Sequence, residues 1–152
     1  MAYAKTTNVN PERSQEEIKS ILRRYGCDRF GVMEERNSAF VMFTISGLNI
    51  QVEVPMPARD SNEFTTTDTG RDRSELAAWR AYEQAVRSRW RSLLLAIKAK
   101  LEAVECGIST VEIEFMPFIV LHDGSTVHQR LLPVLQDQAN RNAPLMLPGG
   151  KA

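Results

Sequence analysis

The chain predicts an α+β fold: a three-stranded antiparallel meander packed by an N-terminal helix and a long central helix, with a small C-terminal hairpin and helix. Three observations predict it. The stretch from Ser74 to Cys106 has no Gly or Pro. It repeats Trp79, Tyr82, Val86, Trp90, Leu93, Ile97, Leu101 and Val104 at three- and four-residue steps, the period of one helix face. Ahead of it, three short segments rich in Val, Ile, Phe and Thr are separated by turn residues, as strands of a meander are. Finally, 152 residues suit a single domain, residues 1–152, able to bury about two-thirds of its unfolded surface.

Taken in order, residues 1–10 are polar and read as a flexible lead. Ser14-Gln15-Glu16-Glu17 is a capping-box pattern for a first helix, with Ile18, Ile21 and Leu22 on its apolar face. Gly26 closes that helix after Arg23-Arg24-Tyr25, whose charges suit the negative end of the helix dipole. Strands are predicted over Arg29–Glu34, Ala39–Ser46 and Ile50–Val54. A polar turn joins the first two, and Gly47 with Asn49 joins the last two. Ile50, Val52 and Val54 alternate with Gln51 and Glu53, so the former face the core. Pro55 and Pro57 stop the third strand. Residues 58–73 lose all periodicity and read as a mobile loop, a kind of segment that orders over ligands or partners.

After the long helix Gly107 is a C-cap residue. Residues 110–116 fit two patterns: a short helix capped at Ser109-Thr110, or a strand alternating Val111, Ile113 and Phe115. Phe118–His122 reads as a strand, Asp123-Gly124 as a tight turn, and Ser125–Val127 as its return. A last helix over His128–Gln138 is limited by Pro133. The irregular tail, 139–152, carries Leu145, Met146 and Leu147, which suit docking on a neighbour.

Charge and motifs narrow the function. Lys plus Arg and Asp plus Glu both number 19, so binding to a polyanion has to come from a local patch. One exists on the long helix. At about 100° per residue, Arg80, Arg87, Arg91 and Lys98 stack into a stripe about 100° from the centre of the apolar one, with Arg89 and Lys100 on the opposite flank. Such a stripe is either a solvated, snorkelling helix flank or a ridge that tracks phosphates. A rod of this length, near 50 Å, overhangs a domain of roughly 40 Å. Trp79, Tyr82 and Trp90 on the overhang therefore predict a homo-oligomer interface.

Of the aromatics outside the helix, Phe30, Phe40 and Phe43 suit the core, and Tyr3, Tyr25 and Phe64 suit exposure. His122 and His128 flank the Asp123-Gly124 turn without a third ligand at metal spacing, so no metal and no cofactor is expected. Cys27 and Cys106 form no CxxC pair and read as reduced thiols. No nucleophile elbow, phosphate loop or dinucleotide fingerprint is present, and the reading is a non-enzymatic one. The first residues hold no apolar signal core and no run is long enough to span a bilayer, so a cytoplasmic protein without membrane partners is expected. The helix–three strands–helix order is shared with double-stranded-RNA-binding domains. Here, however, the long helix opens Ser-Glu-Leu-Ala-Ala with no lysine cluster.

The segments Ile21–Val32 (ILRRYGCDRFGV), Arg89–Ser109 (RWRSLLLAIKAKLEAVECGIS) and Pro117–Val127 (PFIVLHDGSTV) cover a little under a third of the chain. They resemble a family of small uncharacterised proteins of tailed phages and prophages. The resemblance implies a cytosolic accessory protein made during infection, acting on nucleic acid, a nucleotide signal or a host protein. Three functions are therefore expected in descending order. The first is an oligomeric nucleic-acid-binding accessory protein using the Arg80, Arg87, Arg91 and Lys98 stripe. The second is a binder of a nucleotide-like small ligand under the 58–73 loop. The third is a protein–protein inhibitor of a host enzyme.

Overall fold

Asn10 and Pro11, not Ser14, open the first helix. The computed structural model describes residues 4–141, so Tyr3 and the Leu145–Leu147 stretch lie outside the described residues. Helix α1 spans Pro11–Arg24, with the Asn10 side chain accepting from the Arg13 N–H at 2.9 Å and Pro11 in the first turn. Asn is as good a cap as Ser, and Pro is pre-set for a first turn, so the earlier pair takes the helix start. Ser14 is consequently carried into the helix, fully buried, with no hydrogen-bond partner for its Oγ among the described residues. Ser14→Ala is expected to raise stability by about 1 kcal/mol, since it removes an unsatisfied buried hydroxyl and improves helix propensity. Thermal denaturation checks this, because a capping serine would give a loss of similar size.

The sheet follows the expected meander. Strands β1 (Arg29–Glu34), β2 (Ser38–Ile45) and β3 (Leu48–Pro55) pair antiparallel in the order β1-β2-β3, with Phe30 opposite Phe43 and Phe43 opposite Ile50. The turn between β2 and β3 is made by Ser46 and Gly47, which have φ of 51° and 74°. Two positive φ values are what the tightest hairpin turns require. Asn49 instead lies in β3, where its side chain accepts from the Thr44 hydroxyl at 2.9 Å. The alternation then sorts the residues. Ala39, Val41, Phe43, Ile45, Ile50, Val52 and Val54 are buried on the inner face. Gly31, Met33, Phe40, Met42, Gln51 and Glu53 fall on the outer one.

Helices α1 and α3 close the inner face side by side. Helix α3 runs unbroken over Glu75–Glu105, roughly 46 Å long, capped by Ser74. Its buried residues are Trp90, Leu94, Ile97 and Leu101, with Leu93 and Val86 only half-buried. The buried stripe is thus centred on the Leu94 side of the line the sequence suggested, rotated toward the cation stripe.

Residues 58–73, patternless in sequence, have a structure of their own. Helix α2 (Asn62–Thr65) is capped by Ser61, and a bridge joins Thr66 to Asp72. Phe64, expected to be exposed, is only 3% accessible and packs edge-on against Tyr82 at 5.8 Å. Arg73 donates to the Glu63 and Phe64 carbonyls and ties the segment back on itself. At the other end of the chain Gln84 donates to the carbonyls of Lys5 and Thr7, and Ala4 is buried, so the lead lies along α3.

The ambiguous stretch is a helix, α4 (Val111–Phe115), capped by Thr110. Its Phe115 enters the core against Phe43, ring centroids 5.6 Å apart at 87°, and Glu114 pairs with Lys100 of α3. A 3-10 turn over Met116–Phe118 replaces the start of the expected strand. The rest is held by isolated bridges, Ile119 to Ile50 and Val120 to Thr126, which attach the Asp123-Gly124 turn to the β3 edge. Pro117 withdraws a donor at that point, so a full ladder does not form. Helix α5 spans Val127–Asn140 behind a Thr126/Gln129 capping box and continues through Pro133 rather than stopping there. No helix of the described residues is long and apolar enough to cross a membrane.

Candidate functional site

The four cations proposed as a phosphate ridge do not form one continuous surface. Because the buried face of α3 is rotated toward them, the middle pair lies at the border of the core. Arg91 donates to Glu17 of α1 at 3.0 Å, and Glu17 also pairs with Arg13 at 3.5 Å. Arg87 donates through Nε and Nη2 to Gln84 Oε1, at 3.2 and 2.9 Å, and Gln84 holds the N-terminal lead. Both cations thus pack the chain together. Arg80 and Lys98 are exposed, some 27 Å apart along the helix. On the opposite flank Lys100 bonds the Glu114 carbonyl at 3.0 Å and stands 6.0 Å from the Phe115 and Phe118 rings.

The three aromatics proposed for an oligomer interface separate as well. Trp90 is 1% accessible and belongs to the chain's own core, which removes it from any interface. Tyr82 is half-buried, held between Phe64 and Trp79. The cover that the overhanging end of α3 needs is supplied in part by the 58–73 segment of the same chain. Trp79 remains 37% accessible.

That residual exposure marks a cleft. Trp79 and Tyr82, three positions apart on α3, have ring centroids 5.6 Å apart at 34°. The guanidinium of Arg59 lies over the Trp79 ring at 4.4 Å, a cation–π distance. Arg36, from the turn between β1 and β2, and Asp60 and Glu75 line the same opening, which has a volume of about 420 Å³. Arg59 and Asp60 are placed here by Phe64, whose burial anchors their segment against α3. The cleft therefore combines an aromatic platform, two guanidiniums for an anion, and two carboxylates that accept hydrogen bonds.

Other polar groups are explained locally. Hydrogen bonding to Glu105, reinforced by burial, pushes the Tyr25 hydroxyl above its ordinary value. Burial raises the Cys27 thiol, which donates to the Arg29 carbonyl at 2.9 Å. Asp123 is held below the usual carboxylate range by the Ser125 hydroxyl and N–H, and Arg130 lies 2.7 Å from it. Glu112 is lowered by its own backbone N–H and by Thr110, since it sits at the start of α4. His122 and His128 are both exposed, and among the described residues no three His, Cys, Asp or Glu side chains gather as a metal would require.

Sequence reasoning singled out Trp79, Tyr82 and the 58–73 segment separately but missed Arg36 and Arg59. The only available signal was the Ala58-Arg59-Asp60 start of an aperiodic stretch just after Pro55 and Pro57. Compared with protein-family models, with curated proteins and with solved structures, the chain matches none.

Proposed function

We propose that the protein is a non-enzymatic nucleic-acid-binding accessory protein that takes nucleotide units into the cleft of Arg36, Arg59, Trp79 and Tyr82. The observation that carries this reading is the Arg59–Trp79–Tyr82 stack at the cleft, with a second guanidinium beside it; a base takes the place of the Arg59 guanidinium on Trp79, and Arg59 turns to its phosphate. Unpaired bases stack on aromatic rings and on guanidinium planes, while arginines take the phosphates. Asp60 and Glu75 accept from the N–H groups at a base edge. Exposed Arg80, next to Trp79 on α3, extends the phosphate contact, while Arg87 and Arg91 of the original stripe hold the fold. The resemblance to tailed-phage proteins supports an accessory role in the cytoplasm.

The test uses the two tryptophans. Trp90 is buried and gives a constant background, so quenching by a stacked base reports on Trp79. Titration with oligothymidylate, oligouridylate and mononucleotides at low and high salt is expected to show quenching that weakens steeply with salt. Trp79→Ala, which lacks the reporting ring and is read instead by the anisotropy of a labelled oligonucleotide, is expected to weaken binding roughly 5- to 150-fold, the range for losing one stacked base. Arg36→Ala and Arg59→Ala both weaken binding and flatten the salt dependence. Arg87→Ala leaves affinity unchanged, because that side chain is held by Gln84. Quenching by mononucleotides alone replaces this reading with that of a small-ligand binder, and no quenching by either overturns both.

A further inference from the structure

We infer that two copies of this chain associate by exchanging helices, α5 of each lying across the outer face of the other's sheet. Helix α5 has no buried residue, and it exposes Leu131, Leu132, Val134 and Leu135 at 46%, 37%, 58% and 60%. A helix of this length is marginal in water by itself, and this one contains Pro133, which removes a backbone donor and crowds the preceding turn. It therefore needs a surface to lie on.

The sheet provides one of matching size and chemistry. On its outer face Met33 is 46% accessible, Phe40 and Met42 are half-buried, and none of the three belongs to the core that α1 and α3 close. An open groove of about 410 Å³ crosses this face over Gly31 and Met42, rimmed by Arg29, Thr44 and Gln51. A Cβ added at Gly31 would meet nothing within 4 Å, and its φ is not positive, so nothing inside the chain requires glycine there. A strand glycine without an internal reason marks the approach of something from outside.

The dimensions select the occupant. Fourteen residues make a helix about 21 Å long and about 10 Å wide. Eight-residue strands run about 26 Å, and three strands span about 10 Å between the outer two, so one helix covers the face. One helix-on-sheet contact then buries roughly 400 Å² in total. Two, related by a twofold axis, bury roughly 800 Å², which lies in the range of weak, reversible association. Pairing of α5 with α5 alone would bury half as much and leave both sheets open. A second copy closes both surfaces at once.

Sedimentation velocity over a roughly hundredfold range of concentration is expected to show a dimer that dissociates on dilution. Leu131→Lys with Leu135→Lys, both at exposed positions, gives a folded monomer. Met42→Glu on the sheet face also gives a monomer, with circular dichroism confirming its fold. Gly31→Val, whose Cβ meets nothing inside the chain, keeps its thermal stability and weakens the dimer at least tenfold. Mixing the α5 variant with the Met42→Glu variant leaves one helix–sheet contact intact and sets lysines against the glutamate in the other, and a mixed dimer reappears that neither forms alone. A wild-type monomer at every concentration overturns the inference. So does a wild-type dimer for which the mixture yields no mixed species, since that is the result for α5–α5 pairing.

Discussion

Replacing Trp90 with alanine lowers the stability of the protein by about 3–5 kcal/mol, a fall in Tm of roughly 6–20 °C for a chain of this size. Trp90 is 1% accessible and is the largest fully buried side chain. It sits where α3 meets the sheet and α1, among Leu94, Ile97 and Leu22 of the same cluster. Removing the indole leaves a void in that cluster, and the cost of the void adds to the lost burial. Trp79→Ala costs about 1–2 kcal/mol by comparison, because that ring keeps part of its solvent contact in the folded chain. Urea denaturation of both variants checks the pair. Equal losses would place Trp79 in the core as well and close the cleft.

Phe64→Ala is expected to act locally and strongly. Phe64 is the one buried residue of α2 and holds the 58–73 segment to α3 through Tyr82. Losing a buried phenyl ring costs about 3 kcal/mol or more, but the cost to global stability is capped at the free energy that opens this segment alone. The population of the opened segment then rises about a hundredfold, and trypsin cleavage at Arg59, Arg71 and Arg73 accelerates by a similar factor. Wild-type protein digested in parallel gives the reference. Uniform cleavage across the chain would mean that the segment opens only with the whole domain. The same variant loses nucleotide quenching, since Arg59 reaches Trp79 only from a docked segment.

The sheet and both principal helices were legible because each rests on a repeating pattern. Ile50, Val52 and Val54 alternate over five residues, and α3 repeats its apolar face over many turns. Single-residue competitions were not legible. Asn10-Pro11 outranked Ser14, Ser46 took the turn position given to Asn49, and α5 ran through Pro133. The rotation of the α3 face by a few tens of degrees decided the fate of the cations. It brought Arg91 onto Glu17, a residue distant in sequence that no helical wheel contains. The cleft was hidden for the same reason: Arg36, Arg59 and Trp79 come from three elements, and Phe64, which brings Arg59 to α3, stands in a stretch without period.

The meander closes through nearest-neighbour hairpins, but the side chains that cover its inner face lie far downstream. Synthesis at about 5–20 residues per second separates Pro55 from Leu101 by roughly 2–9 s. During that interval Val41, Phe43, Ile50 and Val52 have only α1 to shelter them on the emerging chain. Early folding is thus divided between a quick local step and a delayed one, and the nascent protein is most prone to aggregate while α3 is still within the ribosome.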